Sequence, residues 1–286
     1  MLELFATTNW LGETLSELPI TSFDEKYRNI FAQSIRTCLE YRPKFGKSSE
    51  TGLSLADFQQ LYAQDLFYHW LGLNSPLMYA AHKAAGGITS IYRQVGMACQ
   101  DLFRQMLQDH LSLSPDQTVW QYEIPAASGK PRQLALDARV EWGHITDEQK
   151  RQSMQQWLTE AGNVIKLKPS VIERLRGAVF EVRQGYKSKD AKRQNADIAN
   201  AIHAYAEGYL PVIILFSQQI DNDIAHRYRK NSWLILIGVR EGTATTSTYS
   251  FCREIIGYNV ADFFDRNAEY IRVEIENVLQ KLLAPD

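Results

Sequence analysis

At 286 residues the chain can form one large domain or two small ones, and its formal net charge of −2 gives it no overall pull towards nucleic acid or a membrane. Hydrophobic content of 45% and charged content of 22% are those of an ordinary soluble globular protein. Three widely spaced cysteines, Cys38, Cys99 and Cys252, form no CxxC pair and no zinc-type spacing with histidine, which speaks for a reducing, intracellular setting.

Residues 1–85 read as a helical region, with helices expected over Phe23–Tyr41 and Leu55–Leu73 and a loop over Arg42–Gly52. The larger remainder, residues 86–286, starts at Gly86-Gly87, where a new helix carries Ile91, Val95, Leu102 and Met106 and ends near Leu111. Ser114-Pro115-Asp116 closes that helix. A hairpin is then expected: Val119–Ile124, a turn at 127–131, and one strand over Arg132–Val140. Residues 145–176 return to helix, opened by a capping-box pattern of Thr146 and Gln149.

Gly177–Ser217 is the most informative stretch: a strand, a short basic turn, an amphipathic helix and a second strand that is apolar throughout. Two buried strands joined by a helix imply a parallel crossover, hence an α/β sheet. The helix is expected to rest on Ala191, Ile198, Ile202, Tyr205 and Tyr209, leaving Lys192, Arg193, Asn200 and His203 mostly off that stripe, with Gly208 as its stop. After it come a polar helix over Asp221–Lys230, a buried strand over Trp233–Val239, and helices over Thr248–Ile256 and Asp262–Leu283. In the last of these Phe264, Ala268, Ile271, Ile275, Val278 and Leu282 form a stripe for core packing or a dimer contact. No run is long enough to span a bilayer and the start lacks a signal-peptide pattern, so a cytoplasmic protein without membrane association is expected.

Alternation in Ala178–Arg183 sends Val179, Glu181 and Arg183 to one face and Phe180 and Val182 to the other. A carboxylate on such a strand is costly unless it is paired or binds a metal. In Leu134–Val140 the same rule groups Asp137 with Ala135 and Arg139. Two carboxylates meeting at adjacent strand ends suit a hard divalent cation, and a nearby guanidinium completes an arrangement able to cleave a phosphodiester.

Asp137 followed by Glu181-Val182-Arg183, a helix and a buried strand resembles the PD-(D/E)xK core of type II restriction endonucleases, over roughly residues 88–240. The resemblance implies a mixed central sheet flanked by helices, with the N-terminal helical region added for dimerisation or flanking-DNA contacts. It implies magnesium held by Asp137 and Glu181, and a basic residue at the scissile phosphate. Arg183 stands where the family has lysine, and cannot act as an acid or base at neutral pH. Lys187 or Lys189, reaching back from the turn, is the alternative.

The run Lys187-Ser188-Lys189-Asp190 with Lys192, Arg193 and Asn195 is similar in placement to the base-reading segment of enzymes that cut around CCGG, and the whole chain is similar to the ApaLI-like restriction enzymes. Lysine and arginine suit guanine, aspartate suits cytosine and Asn195 or Gln194 suits adenine; phosphate contact, or helix capping by Asp190, fits the same residues. The resemblance further implies double-stranded DNA as substrate, a homodimer on a palindromic site, and a companion DNA methyltransferase. Glu141, His144 and the hydroxyl-rich Thr243–Ser250 carry weaker signals: a surface acid, an unpartnered histidine and an ordinary loop. No GxxxxGK[ST] motor motif is present.

Overall fold

The computed structural model describes residues 21–45, 52–124, 131–186 and 191–284. Contacts divide the chain into two compact units, Met1–Ala98 with Phe264–Asp286, and Cys99–Phe263.

The described part of the first unit is helical. Helix α1 (Ser22–Arg36) opens with the Asp24 carboxylate accepting the Thr21 N–H and buries Tyr27, Phe31, Ala32 and Ile35. The helix expected over Leu55–Leu73 breaks in two, α2 (Leu55–Leu61) and α3 (Leu66–Trp70). The cause is Asp65, whose carboxylate accepts the Tyr68 N–H at 3.1 Å and caps a fresh start. Helix α4 (Pro76–Leu111) runs straight through Gly86-Gly87, where a helix start was expected. Those glycines serve close packing: a Cβ at Gly86 would collide with the Tyr41 ring, and one at Gly87 with Leu282. Leu282 and Val278 of the last helix, α10 (Val260–Leu283), are buried, and Phe264 meets Phe31 edge-on at 5.4 Å. Part of the stripe of α10 is therefore used within this unit, while Ala268, Ile271 and Ile275 are half-buried.

The second unit carries both sheets. Strands β1 (Trp120–Ile124) and β2 (Arg132–Leu136) form an antiparallel hairpin, with Trp120 opposite Leu136. The single strand expected over Arg132–Val140 ends at Asp137. From there β3 (Ala138–Glu141) leaves the hairpin and pairs antiparallel with β4 (Gly177–Arg183). Asp137 fixes the change of direction, because its carbonyl accepts two bonds from the Arg104 guanidinium, at 3.1 and 2.6 Å.

Between them, α5 (Glu148–Val164) is capped by Asp147, which accepts the Lys150 N–H at 3.0 Å, and not by the expected Thr146 box. It stops near residue 165 and not 176, since Lys166 is left-handed (φ 60°) and Pro169 starts the short helix α6 (Pro169–Ile172).

The expected crossover is present. β4, α7 (Ala191–Ala206) and β5 (Tyr209–Leu215) form a parallel unit, with Gly177 beside Tyr209 and Arg183 beside Leu215. Gly208, at φ 80°, ends α7 as its position suggests. Helix α8 (Asn222–Lys230) leads to β6 (Leu234–Leu236), which completes the mixed sheet β3-β4-β5-β6. Val179, Ile213 and Leu215 share one buried cluster with Ala201 and Ala204 of α7 and Tyr228 of α8. On the other face Phe180 packs at 5.1 Å from Phe103 of α4 and 5.7 Å from Phe251, which lies on α9 (Thr248–Phe251) and touches Trp157 of α5. The described residues thus form a mixed α/β structure with one helix-covered mixed sheet and one small hairpin. Among the described residues no helix is long and apolar enough to cross a membrane.

The apolar stripe assigned to α7 is rotated from the true buried face. Ile202 is 70% exposed, whereas Gln194, Asp197, Asn200, Ala201 and Ala204 are buried. The face turned to the sheet is polar at its N-terminal end because polar groups of β4 and α8 await it there.

Candidate active site

Ala138 pairs with Phe180, so Asp137, one residue earlier, comes opposite Glu181. The Asp137 carboxylate reaches across to β4, where Oδ2 accepts the Val182 N–H at 2.8 Å. Glu181 is 6% exposed and leaves β4 towards α7, as alternation requires. Arg183 follows on the same face and forms an ion pair with Glu181. It also approaches Oδ2 of Asp197, on α7, at 3.4 Å. The guanidinium lies 4.8 Å over the Tyr186 ring, a cation–π contact that suits the planar group.

Asp197 is itself buried and anchored. Its Oδ2 accepts the Tyr228 hydroxyl at 2.5 Å and the Tyr186 hydroxyl at 3.3 Å, and the two hydroxyls lie 2.7 Å apart. Burial, followed by the Asp197 charge, pushes the Tyr228 phenol far up, so it stays protonated beside that carboxylate. Burial alone would lower the Arg183 pKa. The charges of Glu181 and Asp197, with smaller contributions from Tyr186 and Asp137, outweigh it and hold Arg183 above the ordinary guanidinium value. Arg183 is a fixed cation. Its Nε is buried and has no acceptor among the described residues, whereas Nη2 meets both carboxylates. A buried donor left unmade is costly, and an anionic oxygen would satisfy it.

Asp137, Glu181 and Arg183 are thus brought together, as the sequence pattern suggests. Lys187, Lys189 and Asp190 lie outside the described residues, and for Lys192 and Arg193 only the backbone, in the first turn of α7, is described. Asn195 is exposed and its Oδ1 accepts from Arg227, whose other terminal nitrogen bonds Gln194 at 2.9 Å. Glu141 stands at the far end of β3, four residues and roughly 13 Å from Asp137, where it accepts the Tyr209 hydroxyl at 2.6 Å. His144 follows it in a 3-10 turn, with a buried Nδ1 that has no partner among the described residues. The hydroxyls of Thr243–Ser250 are spent locally: Ser247 caps α9, Thr248 donates to the Leu215 carbonyl and Ser250 to that of Gly242.

Asp197, Tyr186 and Tyr228 are members of the site that the sequence reading did not find. The signal was the spacing of Gln194, Asp197, Asn200, Ala201 and Ala204, which place small and polar residues on one helix face.

Among the described residues no group of three His, Cys, Asp or Glu side chains is arranged to hold a metal. Asp137 and Glu181 nevertheless fit a hard divalent cation of the magnesium type. They offer only oxygen, they stand at opposite register positions, and such an ion is bound through one or two carboxylates while keeping waters and substrate oxygens. The unmet donor of Arg183 fits an anion beside it.

Compared with protein-family models, with curated proteins and with solved structures, the chain gives no match.

Proposed function

We propose that the chain is a type II restriction endonuclease, a magnesium-dependent enzyme that hydrolyses phosphodiester bonds of double-stranded DNA at a specific sequence. The observation that carries this reading is the placement of Asp137, just before β3, opposite Glu181 of β4, with Arg183 on the Glu181 face and its Nε unmatched. In this reading Asp137 and Glu181 hold the ion. When bound, magnesium supplies a water acidic enough to attack at neutral pH and positive charge against the scissile phosphate. Arg183 donates Nε–H to a phosphate oxygen and steadies the charge that develops there, without giving up a proton. The backbone N–H of Val182 holds the Asp137 carboxylate against β4, beside Glu181 in sequence.

The start of α7 lies beside this site in sequence, so Lys187, Lys189, Asp190, Lys192, Arg193 and Asn195 are the proposed DNA-contacting residues. The protein would act in the cytoplasm as a homodimer on a palindromic site, together with a DNA methyltransferase that protects the host.

A second reading is favoured by one observation: Arg183 is already committed to two buried carboxylates. A noncatalytic DNA-binding protein could keep such a locked pair. Incubating the purified chain with unmethylated phage DNA, with magnesium or with EDTA, separates the readings. Discrete fragments with magnesium alone are expected. A smear would indicate a repair-type nuclease of the same core, and intact DNA on unmethylated and methylated substrates would favour the noncatalytic protein.

A further inference from the structure

Arg183 has two carboxylate partners of different character. Glu181 stands at the strand end with Asp137, whereas Asp197 is set back on α7 and tied down by two tyrosine hydroxyls. A divalent cation on Glu181 and a guanidinium on the same carboxylate repel one another. If Glu181 were the sole acceptor, taking up an ion would leave Arg183 buried and unpaired, which is unfavourable. Asp197 removes that conflict: Tyr186 and Tyr228 orient its Oδ2, while the Tyr186 ring lies against the guanidinium.

The geometry points to Asp197 as a positioning residue that retains Arg183 when Glu181 turns to a divalent cation, with Tyr186 and Tyr228 fixing Asp197 for that purpose. This rests on the metal-dependent reading above. Asp197 acts through Arg183 and does not itself hold the ion. Its removal should therefore matter only while Arg183 is present.

The test is binding of Mn2+, followed by the spin resonance of the free ion, to the full chain without DNA. The proteins are wild type, Asp197→Asn, Arg183→Gln and the double variant. Asp197→Asn should weaken Mn2+ binding roughly tenfold, and in the Arg183→Gln background the same change should alter it by less than about twofold. Tyr228→Phe keeps every charge and frees Asp197 from its shortest bond; a loss of about threefold is expected, and it reads the same claim if Arg183→Gln does not fold. Equal losses from Asp197→Asn in both backgrounds would overturn the inference, since Asp197 would then act on the ion directly. So would unchanged affinity in Tyr228→Phe. Failure of the wild-type protein to bind Mn2+, or binding that survives Glu181→Gln, would remove the metal-dependent reading itself.

Discussion

A guanidinium whose side chain is only 10% exposed must be matched by anions, and Arg183 meets two, Glu181 and Asp197, both equally buried. Replacing it with methionine preserves much of the volume but leaves two buried acids facing each other without a cation. Breaking a buried pair in this way costs about 3–5 kcal/mol, so Arg183→Met should show a clearly lowered urea midpoint as well as lost cleavage. Asp137 behaves differently. Its amide analogue still offers an oxygen to the Val182 N–H, so Asp137→Asn should unfold at nearly the wild-type urea concentration. With the charge gone, cleavage of a plasmid under magnesium should fall by at least about a thousandfold. A variant as active as wild type would separate Asp137 from the chemistry.

At the scale of elements, the helix α7 shows what was legible in the sequence and what was not. β4, α7 and β5 could be read because alternation, an all-apolar run and Gly208 each report on the chain's own neighbours. Asp137 and Glu181 could be read because a carboxylate on a core-like strand is conspicuous. The face of α7 could not be read from apolar residues, since what it packs on is partly polar: Asp197 meets Arg183, and Asn200 accepts the Tyr122 hydroxyl at 2.7 Å. Such partners lie on other elements, so the spacing of small and polar residues on α7 shows a face but not what it meets. The same reason hid the break at Asp137, which depends on Arg104, thirty-three residues earlier. The structure predicts an inversion of the usual ranking. Ile202→Lys, on the exposed side, should change unfolding free energy by less than about 0.5 kcal/mol. Asn200→Ala should cost about 1 kcal/mol by leaving the Tyr122 hydroxyl without its acceptor. Urea titration of both variants decides which face is the buried one.

On the scale of the whole molecule, a net charge of −2 means that stability and binding are set by local charge placement. In the unit formed by Met1–Ala98 and Phe264–Asp286, Asp24 is fully buried and held by Arg266, whose Nε and Nη2 each lie 3.0 Å from a carboxylate oxygen. Asn267 adds a third donor at 3.1 Å. Burial by itself would raise the Asp24 pKa, but the Arg266 and Thr21 bonds outweigh it and hold the carboxyl below its ordinary value. Glu274 is likewise lowered, by its hydrogen bond to Arg36. A folded-state pKa below the unfolded one means that the unfolded chain takes up protons first. The stabilisation is therefore complete above the unfolded carboxylate values of about 4 and disappears as pH falls through the lower folded-state values. The urea midpoint should be flat from pH 7 to 5 as far as these groups are concerned, and should drop below about pH 4. Asp24→Ala should lose about 3–5 kcal/mol at pH 7, because it strands the Arg266 guanidinium, and should show a shallower acid dependence than wild type. An unchanged acid slope in that variant would place the sensitivity in other carboxylates.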